Sequence, residues 1–489
     1  MTGTVLAIDQ GTSGTTCMVF SPQGEVISRA YETVEVSYPK PGWVEQDANQ
    51  LLDTTISAAR QAIEQSGATP AAVGITNQRE TVVVVDRNTL QPVAPAIVWQ
   101  CRRSAEICEQ HRRSGHEQLV RERTGLLLDP YFTATKLQWL LASDSGLRSR
   151  AEHGELAALT VDAWLVAKLS REHRFATDAS NASRTLLFDI NTQRWDEELC
   201  QMFEIPPSML AEVVDSAGVV AHTDATVLGF DAPIAGIAGD QQAALFGQGC
   251  VEVGMSKNTY GTGSFVLVNA GTRPPQPVAG LLNTVAWRID GQATYALEGS
   301  IFVTGSGLKW LRDQVRLIAS VEEVGPLFDS VPDANGCFFI PALAGLGTPY
   351  WDANARGAFI GLTAAVTRAH LVRAVVEAMA YRTRDVIEAM EQAAGITIDE
   401  LRVDGGATVM DGLCQFQADL LGIPVARAQS AEATARGAAL LAALGAGLVP
   451  SIEAAAATWQ PGARFEPAQS GQRPARQYDA WLAAVARVR

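Results

Sequence analysis

Three glycine-rich segments each follow an apolar run and carry side chains suited to holding phosphate. They are Asp9-Gln10-Gly11-Thr12-Ser13-Gly14-Thr15, Gly261-Thr262-Gly263-Ser264 and Asp404-Gly405-Gly406-Ala407-Thr408. Glycine lets a ligand approach the backbone closely, so that successive amide and hydroxyl groups can surround a phosphate. The sequence contains no Walker loop of the form Gly-x-x-x-x-Gly-Lys-Ser/Thr. It therefore predicts a nucleotide site of another architecture.

The first segment also begins with a carboxylate. Asp9 could hold Mg²⁺ directly or through water, since Mg²⁺ prefers oxygen ligands. The alternative is an ordinary hairpin whose Asp and Ser side chains satisfy the turn amides. Each turn alone is a weak signal, but three in one chain favour phosphate binding.

Asp240 is the candidate for acid–base chemistry. It lies in Gly236-Ile237-Ala238-Gly239-Asp240-Gln241-Gln242, where an apolar strand meets a predicted helix and small residues leave the carboxylate accessible. Such a carboxylate could accept the proton of a hydroxyl that attacks a phosphate. The alternative is an Asp that only caps the helix.

Recognition of a polyol requires charged hydrogen-bonding groups and apolar walls around the carbon chain. Arg79 and Glu80 could supply the charges, and Trp99, Tyr131 and Phe265 could supply the walls. Adjacent Arg and Glu residues are more often solvated surface charges, and aromatic residues are more often core residues. Both alternatives remain open at this point.

The elements that must position these residues are those of a mixed α/β protein. Residues 4–8, 17–20 and 25–31 read as a β-meander, whereas a dinucleotide-binding unit would enter a helix after its glycine turn. Further strands are predicted at residues 73–76, 81–86, 96–99, 255–260 and 401–403, and helices at residues 50–66, 104–121 and 241–246. Residues 437–450 are predicted to form a buried, closely packed helix. Because the second half repeats the strand-and-turn pattern of the first, we expect two similarly built lobes.

Composition limits the class of protein. The chain has 489 residues of which 47% are apolar, which favours two domains. A net charge of −15 argues against nucleic acid or an anionic membrane surface as partner. No apolar run is long enough for stable membrane insertion and no signal peptide begins the chain, so a cytoplasmic location is expected. The seven scattered cysteines read as reduced packing residues.

The sequence resembles the glycerol kinases, a branch of the FGGY carbohydrate kinases in the actin and hexokinase superfamily, over nearly its whole length. Five stretches carry the resemblance: Asp9-Gln10-Gly11-Thr12, Gly74-Ile75-Thr76-Asn77-Gln78-Arg79-Glu80-Thr81, Trp99-Gln100-Cys101-Arg102-Arg103, Asp129-Pro130-Tyr131-Phe132 and Gly239-Asp240-Gln241-Gln242-Ala243-Ala244-Leu245-Phe246-Gly247. The resemblance implies two ribonuclease H-like α/β domains with an active-site cleft between them. Residues 1–247 would bind mainly glycerol and residues 248–489 mainly the nucleotide.

The same resemblance implies ATP-dependent phosphorylation of glycerol to sn-glycerol 3-phosphate, with Asp240 as general base. The glycerol site would consist of Arg79, Glu80, Trp99, Tyr131, Asp240, Gln241 and Phe265. ATP would meet Thr12, Ser13, Gly14, Thr262, Gly305, Lys309, Gly406 and Met410. Mg²⁺ would lie near Asp9 and Asp240, and the chain would assemble as a homodimer or homotetramer.

Three positions depart from the family pattern. Met410 stands where an asparagine usually contacts adenine, Lys309 where glutamine is common, and Thr16 where several bacterial relatives have arginine. We therefore expect altered nucleotide affinity or preference. A kinase of the same family acting on a ketopentose remains an alternative, as does an actin-like nucleotide switch, which would not need Arg79, Glu80 or Asp240.

Overall fold

The structure is a computed structural model that describes residues 3–352, 354–430, 432–468 and 472–489. Across these ranges, none of the helices is both long enough and apolar enough to pass through a bilayer. All seven cysteines are buried free thiols, which agrees with their predicted packing role.

One mixed sheet of 13 strands runs through the described part of the chain. From one edge to the other its strands are Pro461–Phe465, Val425–Ala428, Leu401–Asp404, Ser256–Tyr260, Ser264–Gly271, Gln292–Ile301, Leu282–Ile289, Ala217–His222, Pro233–Gly239, Ala72–Asn77, Val5–Gln10, Gly14–Phe20 and Val26–Thr33. The seven strands from Pro461–Phe465 to Leu282–Ile289 are called the C-terminal half-sheet and the other six the N-terminal half-sheet. A single pairing, Ala217 with Ile289, joins the two.

The two half-sheets repeat one design. In the N-terminal half-sheet, Val5–Gln10 pairs antiparallel with Gly14–Phe20 and parallel with Ala72–Asn77. In the C-terminal half-sheet, Ser256–Tyr260 pairs antiparallel with Ser264–Gly271 and parallel with Leu401–Asp404. The predicted meander and the predicted similarity of the two halves are both confirmed.

The rest of the described chain forms smaller sheets and helices. A four-stranded sheet consists of Glu45–Gln46, Ala96–Ile97, Val82–Asp86 and Leu156–Thr160. Three strand pairs are Ala176–Asp178 with Glu212–Val214, Phe188–Asp189 with Arg194–Trp195, and Phe338–Ile340 with Ala358–Ile360. The α-helices are Ala48–Ser66, Ala105–Arg113, Glu117–Thr124, Thr133–Ser143, Ser145–Glu152, Val161–Leu169, Ala179–Ala182, Glu197–Met202, Ala225–Leu228, Asp240–Gly247, Gly305–Asp313, Val324–Asp329, Arg368–Ala394, Asp411–Leu421, Ala433–Gly445, Ile452–Ala456 and Gln472–Val485. The 3₁₀ helices are Pro207–Met209, Val321–Glu323 and Gly406–Val409.

Two local predictions differ from the structure for a backbone reason. The helical pattern of residues 104–121 is divided into two helices, because Gly115 adopts a φ of +79° between them and breaks the α-helical path. The first glycine turn is shorter than expected, since the strands extend to Gln10 and resume at Gly14. Asp9 therefore lies within a strand, not in the turn itself.

The helix Ala433–Gly445 packs against the N-terminal half-sheet and the helix Asp240–Gly247. Glycines permit this close approach. A Cβ on Gly74 or Gly236 would overlap the backbone of the helix, and one on Gly437 would overlap the backbone at Ala243. The predicted buried helix is thus confirmed, although it ends at Gly445 instead of residue 450. Its packing holds the helix that begins with Asp240 firmly in place.

Candidate active site

Three parallel strands of the N-terminal half-sheet end side by side and bring the predicted residues together. Gln10 and Gly239 both align with Asn77 on the central strand of the three. Arg79 and Glu80 follow the central strand, and Asp240 follows Pro233–Gly239 directly. Ligands of open α/β sheets bind beyond the carboxyl ends of parallel strands, which is where these side chains lie.

Asp240 is the first residue of the helix Asp240–Gly247, and Gly239 occupies the N-cap position. Asp240 therefore does not occupy the N-cap position itself, although its side chain bonds to a backbone N–H of the first turn. Its Oδ1 accepts a hydrogen bond from the backbone N–H of Gln241 at 2.7 Å and pairs with Arg79 Nε at 3.0 Å. The side chain remains 32% exposed, so the carboxylate is accessible from solvent.

Arg79 and Glu80 are almost fully buried, which excludes their interpretation as solvated surface charges. Arg79 Nη1 donates to Glu298 Oε2 at 2.5 Å, and Arg184 Nη2 donates to Glu298 Oε1 at 2.9 Å. Arg184 Nε donates to Glu80 Oε1 at 2.7 Å. Two buried cations and two buried carboxylates thus alternate beside Asp240, and each charge has an opposite partner.

Sequence reasoning missed Glu298 and Arg184. Glu298 lies in the mostly buried strand Gln292–Ile301 and is itself completely buried. Burial alone would raise its pKa, but the positive charges of Arg184 and Arg79 outweigh it and lower the pKa of Glu298 to about 2. The available signal was a single charged residue within a predominantly uncharged segment, although it does not identify the partner.

The surroundings of Asp9 shift its pKa in the opposite direction from that of Glu298. Removal from water, reinforced by the negative charges of Asp240 and Glu432, raises the pKa of Asp9 to about 8. Among the described residues, no positive charge offsets this rise. A bound cation would supply that charge.

The three predicted aromatic residues lie beside the buried charges. Trp99 and Tyr131 are half-buried and meet edge to face, with ring centroids 5.6 Å apart. The Arg79 guanidinium lies 5.7 Å from the centroid of the half-buried Phe265 ring. Lys136 Nζ donates to the backbone carbonyl of Tyr131 at 2.5 Å and so supports that residue from behind. None of the three aromatics is enclosed in the core.

The first glycine turn adjoins this group. It is closed by the Gly11 N–H, which donates to the Gly14 carbonyl at 2.9 Å. Ser13 is exposed at its tip, and Thr12 is half-buried. The indole N–H of Trp99 donates to Thr12 Oγ1 at 2.8 Å. The turn and the aromatic wall are thus directly connected.

The other two glycine turns follow neighbouring parallel strands of the C-terminal half-sheet, where Thr259 aligns with Asp404. The Gly305 N–H donates to the Gly261 carbonyl at 3.0 Å and ties the helix Gly305–Asp313 to the turn that contains Thr262. Gly406 is exposed and begins a 3₁₀ helix. The structure therefore brings Thr262, Gly305 and Gly406 to one edge of the sheet.

Two of the three positions that depart from the family pattern lie beyond these turns, whereas the third, Thr16, lies in the strand Gly14–Phe20. Lys309 is exposed in the helix Gly305–Asp313. Met410 is half-buried at the N-cap of Asp411–Leu421, directly after the 3₁₀ helix. Both therefore follow a segment that is predicted to contact the nucleotide.

The protein alone does not form a complete metal site within the described ranges, because no three His, Cys, Asp or Glu side chains there are grouped to hold an ion. Mg²⁺ in kinases usually takes one or two carboxylates and completes its shell with phosphate oxygens and water. The pair of Asp9 and Asp240 has the chemistry of such a partial site.

Comparison with known proteins identifies the family. Residues 4–247 match the N-terminal domain of the FGGY family of carbohydrate kinases, and residues 256–446 match its C-terminal domain. The chain belongs to the FGGY family of carbohydrate kinases. This membership confirms the family resemblance and the predicted class of enzyme, a kinase that phosphorylates an alcohol group.

Individual relatives of this FGGY kinase are similar along their whole length. It is 49% identical over 486 residues to glycerol kinase 2 of Thermotoga maritima, covering 99% of this chain and 98% of the relative. It is 51% identical over 485 residues to the glycerol kinase of Citrifermentans bemidjiense, covering 98% of each. The crystal structure of Plasmodium falciparum glycerol kinase with ADP superposes with a TM-score of 0.94 at 30% identity, covering 99% of this chain and 98% of that one. The predicted two-lobed α/β fold is confirmed.

Proposed function

We propose that the protein transfers the terminal phosphoryl group of ATP to glycerol and forms sn-glycerol 3-phosphate. The observation that carries the proposal is the accessible Asp240 carboxylate, which pairs with the buried Arg79 at 3.0 Å. The relatives that match the full chain at about half identity are glycerol kinases, which supports glycerol over a ketopentose.

In this proposal Asp240 is the general base. It takes the proton of the attacking hydroxyl while a lone pair of that oxygen bonds to the terminal phosphorus. The bond from this phosphorus to the bridging oxygen breaks, and ADP leaves with the electron pair. The position of Asp240 at a helix N-terminus and its solvent exposure support the assignment.

The substrate is held by the groups around that carboxylate. Arg79, Glu80, Tyr131 and Gln241 bind the hydroxyl groups, while Trp99 and Phe265 border the carbon chain. The buried charges beside Arg79 support this arrangement, because ion pairs fixed by packing hold a hydrogen-bonding group in one orientation. Excluding water from this site limits hydrolysis of ATP.

The nucleotide is placed between the glycine turns. Thr12, Ser13 and Gly14 contact its phosphates from one half-sheet, and Thr262, Gly305 and Gly406 contact it from the other. Lys309 and Met410 lie further along the same site. In support, a Cβ on Gly305 would approach the Gly261 carbonyl oxygen to 2.6 Å, so this junction requires glycine and leaves its backbone uncovered.

Asp9 and Asp240 would hold Mg²⁺, which would offset the negative charge of the phosphates. The raised pKa of Asp9 supports this, since an oxygen ligand without a compensating charge favours a cation. We also propose residues 1–247 and 248–489 as the two domains. Homodimeric or homotetrameric assembly and a cytoplasmic location stay predictions.

A substrate panel tests the proposal. Purified protein is assayed with Mg²⁺ and ATP against glycerol, D-xylulose, D-gluconate and erythritol, and ADP formation is measured with and without each acceptor. We expect the highest kcat/KM with glycerol. A higher kcat/KM for another acceptor would assign the enzyme to that substrate, and ATP turnover independent of all acceptors would favour the nucleotide switch.

A further inference from the structure

Lys257 is a fully buried lysine that links the two half-sheets at the candidate site. It lies in Ser256–Tyr260 of the C-terminal half-sheet, and none of its side chain is exposed. Its Nζ donates to Gln241 Oε1 at 2.6 Å and to Thr259 Oγ1 at 3.1 Å. Gln241 belongs to the helix that follows the N-terminal half-sheet, so this contact joins the two halves of the molecule.

The surroundings of Lys257 explain why a cation is tolerated there. Asp404, Asp240 and Glu298 all act on it electrostatically as negative charges, while Arg79 acts as an opposing positive charge. An ammonium group taken out of water is stable only when opposite charges and acceptors surround it. Lys257 therefore has both a charge role and a hydrogen-bonding role.

The hydrogen-bonding role has a directional consequence. An ammonium group carries three donors and no acceptor, so only the oxygen of an amide can face it. The Gln241 oxygen must therefore point at Lys257, and its NH₂ group must point the other way. Within the described residues, Gln241 Nε2 has no hydrogen-bond partner, although the residue is only 8% exposed and directly follows Asp240.

We propose that Lys257 is a positioning residue that orients the Gln241 amide so that its NH₂ group donates a hydrogen bond to a substrate hydroxyl beside Asp240. Without the lysine, the amide is free to rotate by half a turn. In that orientation it presents an acceptor to the substrate, and the donor is lost. This inference rests on the proposed function, since it assigns an acceptor hydroxyl to the Gln241 amide.

A cycle of two variants tests the proposal. Lys257→Met, Gln241→Ala and the double variant are compared with the wild type for kcat, the KM for glycerol and the KM for ATP. We expect each single variant to raise the glycerol KM by about tenfold, the value of one hydrogen bond to substrate. We expect the ATP KM to stay within about twofold, because Gln241 belongs to the acceptor side.

The double variant decides between positioning and general structural support. If Lys257 acts through Gln241, its removal adds nothing once the amide is gone, and the double variant resembles Gln241→Ala. If the effects of the two single variants on the glycerol KM add in the double variant, the proposal is overturned. An unchanged glycerol KM in Lys257→Met also overturns it. Lys168→Met is the matched control, since Lys168 lies half-buried on the helix Val161–Leu169, away from the site.

Two further arms keep the test decisive. Lys257→Arg retains a donor-only cation, so we expect its glycerol KM within about threefold of the wild type even if Lys257→Met does not fold. A rise in a folded Lys257→Arg variant equal to that of Gln241→Ala overturns the proposal. If the wild-type enzyme prefers an acceptor other than glycerol, the proposed substrate is wrong, and the same cycle is run with the preferred acceptor.

Discussion

The indole nitrogen of Trp99 donates a hydrogen bond to Thr12 Oγ1 at 2.8 Å, which connects the wall of the proposed glycerol site to the turn proposed for the ATP phosphates. Gln46 supports the same turn from the other side, since its Nε2 donates to the Thr12 carbonyl at 2.7 Å. A change on the acceptor side can therefore alter the nucleotide side without any direct contact.

Trp99→Phe keeps an aromatic wall but removes the indole donor. A net hydrogen bond of this kind contributes about 0.5–1.5 kcal/mol, so we expect the KM for ATP to rise by roughly two- to tenfold. Steady-state kinetics with ATP varied at saturating glycerol measures the effect. Trp195→Phe is the control, because its indole donates to the Ala211 carbonyl at 2.8 Å outside the site. Equal ATP KM values for wild type and Trp99→Phe would contradict the connection.

Asp240→Asn removes the proposed base and retains the shape of the side chain. General base catalysis contributes roughly 10²- to 10⁴-fold, so kcat should fall by about that factor while calorimetry still detects glycerol and nucleotide binding. Asp231→Asn makes the same chemical change at an exposed residue that pairs with Arg171 at 2.9 Å. Turnover of Asp240→Asn at the wild-type rate would remove the base assignment.

Glu298→Gln leaves the buried Arg79 and Arg184 with one buried carboxylate, Glu80, and the partly exposed Asp240. Breaking a buried ion pair costs about 3–5 kcal/mol, so the free energy of unfolding should fall by about that amount at pH 7. Chemical denaturation at that pH measures it. Glu212→Gln, which removes an exposed partner of Arg174, should change the free energy of unfolding by less than about 1 kcal/mol.

The free energies of unfolding of the wild type and of Glu298→Gln should depend differently on pH. The pKa of Glu298 is about 2 in the folded protein against an ordinary value of 4.5. Its contribution to stability is therefore complete above pH 4.5 and is lost as the pH falls through 2. The difference in unfolding free energy between wild type and Glu298→Gln should shrink as the pH is lowered over that interval. A difference that stays constant with pH would contradict the lowered pKa.

Met410→Asn places an amide at the half-buried position after the third glycine turn. If this position meets the adenine, one added hydrogen bond should lower the KM for ATP by roughly two- to tenfold and increase the preference for ATP over GTP. Kinetics with both nucleotides provides the measurement. Met202→Asn is the control at a half-buried methionine elsewhere. An unchanged KM for ATP and an unchanged preference for ATP over GTP would mean that adenine does not contact residue 410.

Gly437→Ala inserts a methyl group where a Cβ would overlap the backbone at Ala243, in the helix that begins with Asp240. Overpacking of this kind typically costs about 1–3 kcal/mol, and we expect lower thermal stability together with lower kcat. Gly325→Ala is the matched helical control, since a Cβ there meets no atom within 4 Å. A Gly437→Ala protein as stable as Gly325→Ala would contradict the close packing.

Much of the site could be predicted from sequence because its signals are local. The three glycine turns, Asp240 and the Arg79–Glu80 pair each lie where a strand ends, and each has a recognisable pattern within a few residues. The helix Ala48–Ser66 was predicted within two residues for the same reason, since apolar spacing is a local feature. Gly115 is the local exception, because its positive φ divided a pattern that appeared continuous.

The residues that were missed act across long separations. Arg79 and Glu298 lie 219 positions apart, and nothing in the strand around Glu298 indicates which cation it contacts. The role of Lys257 was missed for the same reason, since its contact with Gln241 crosses from one half-sheet to the other. Such pairs are selected by burial and charge balance, which exist only after the sheet is assembled.

The amino-acid sequence by itself determined where a ligand could approach the backbone and which carboxylate would lie at the end of a strand. Both depend only on neighbouring residues, because glycine turns and strand ends are local features. The tertiary structure decided how these groups are supported. It paired Trp99 with Thr12, surrounded Arg79 with opposite charges and faced the Gln241 oxygen toward Lys257. These choices depend on desolvation, and a side chain loses its water only when distant parts of the chain close around it.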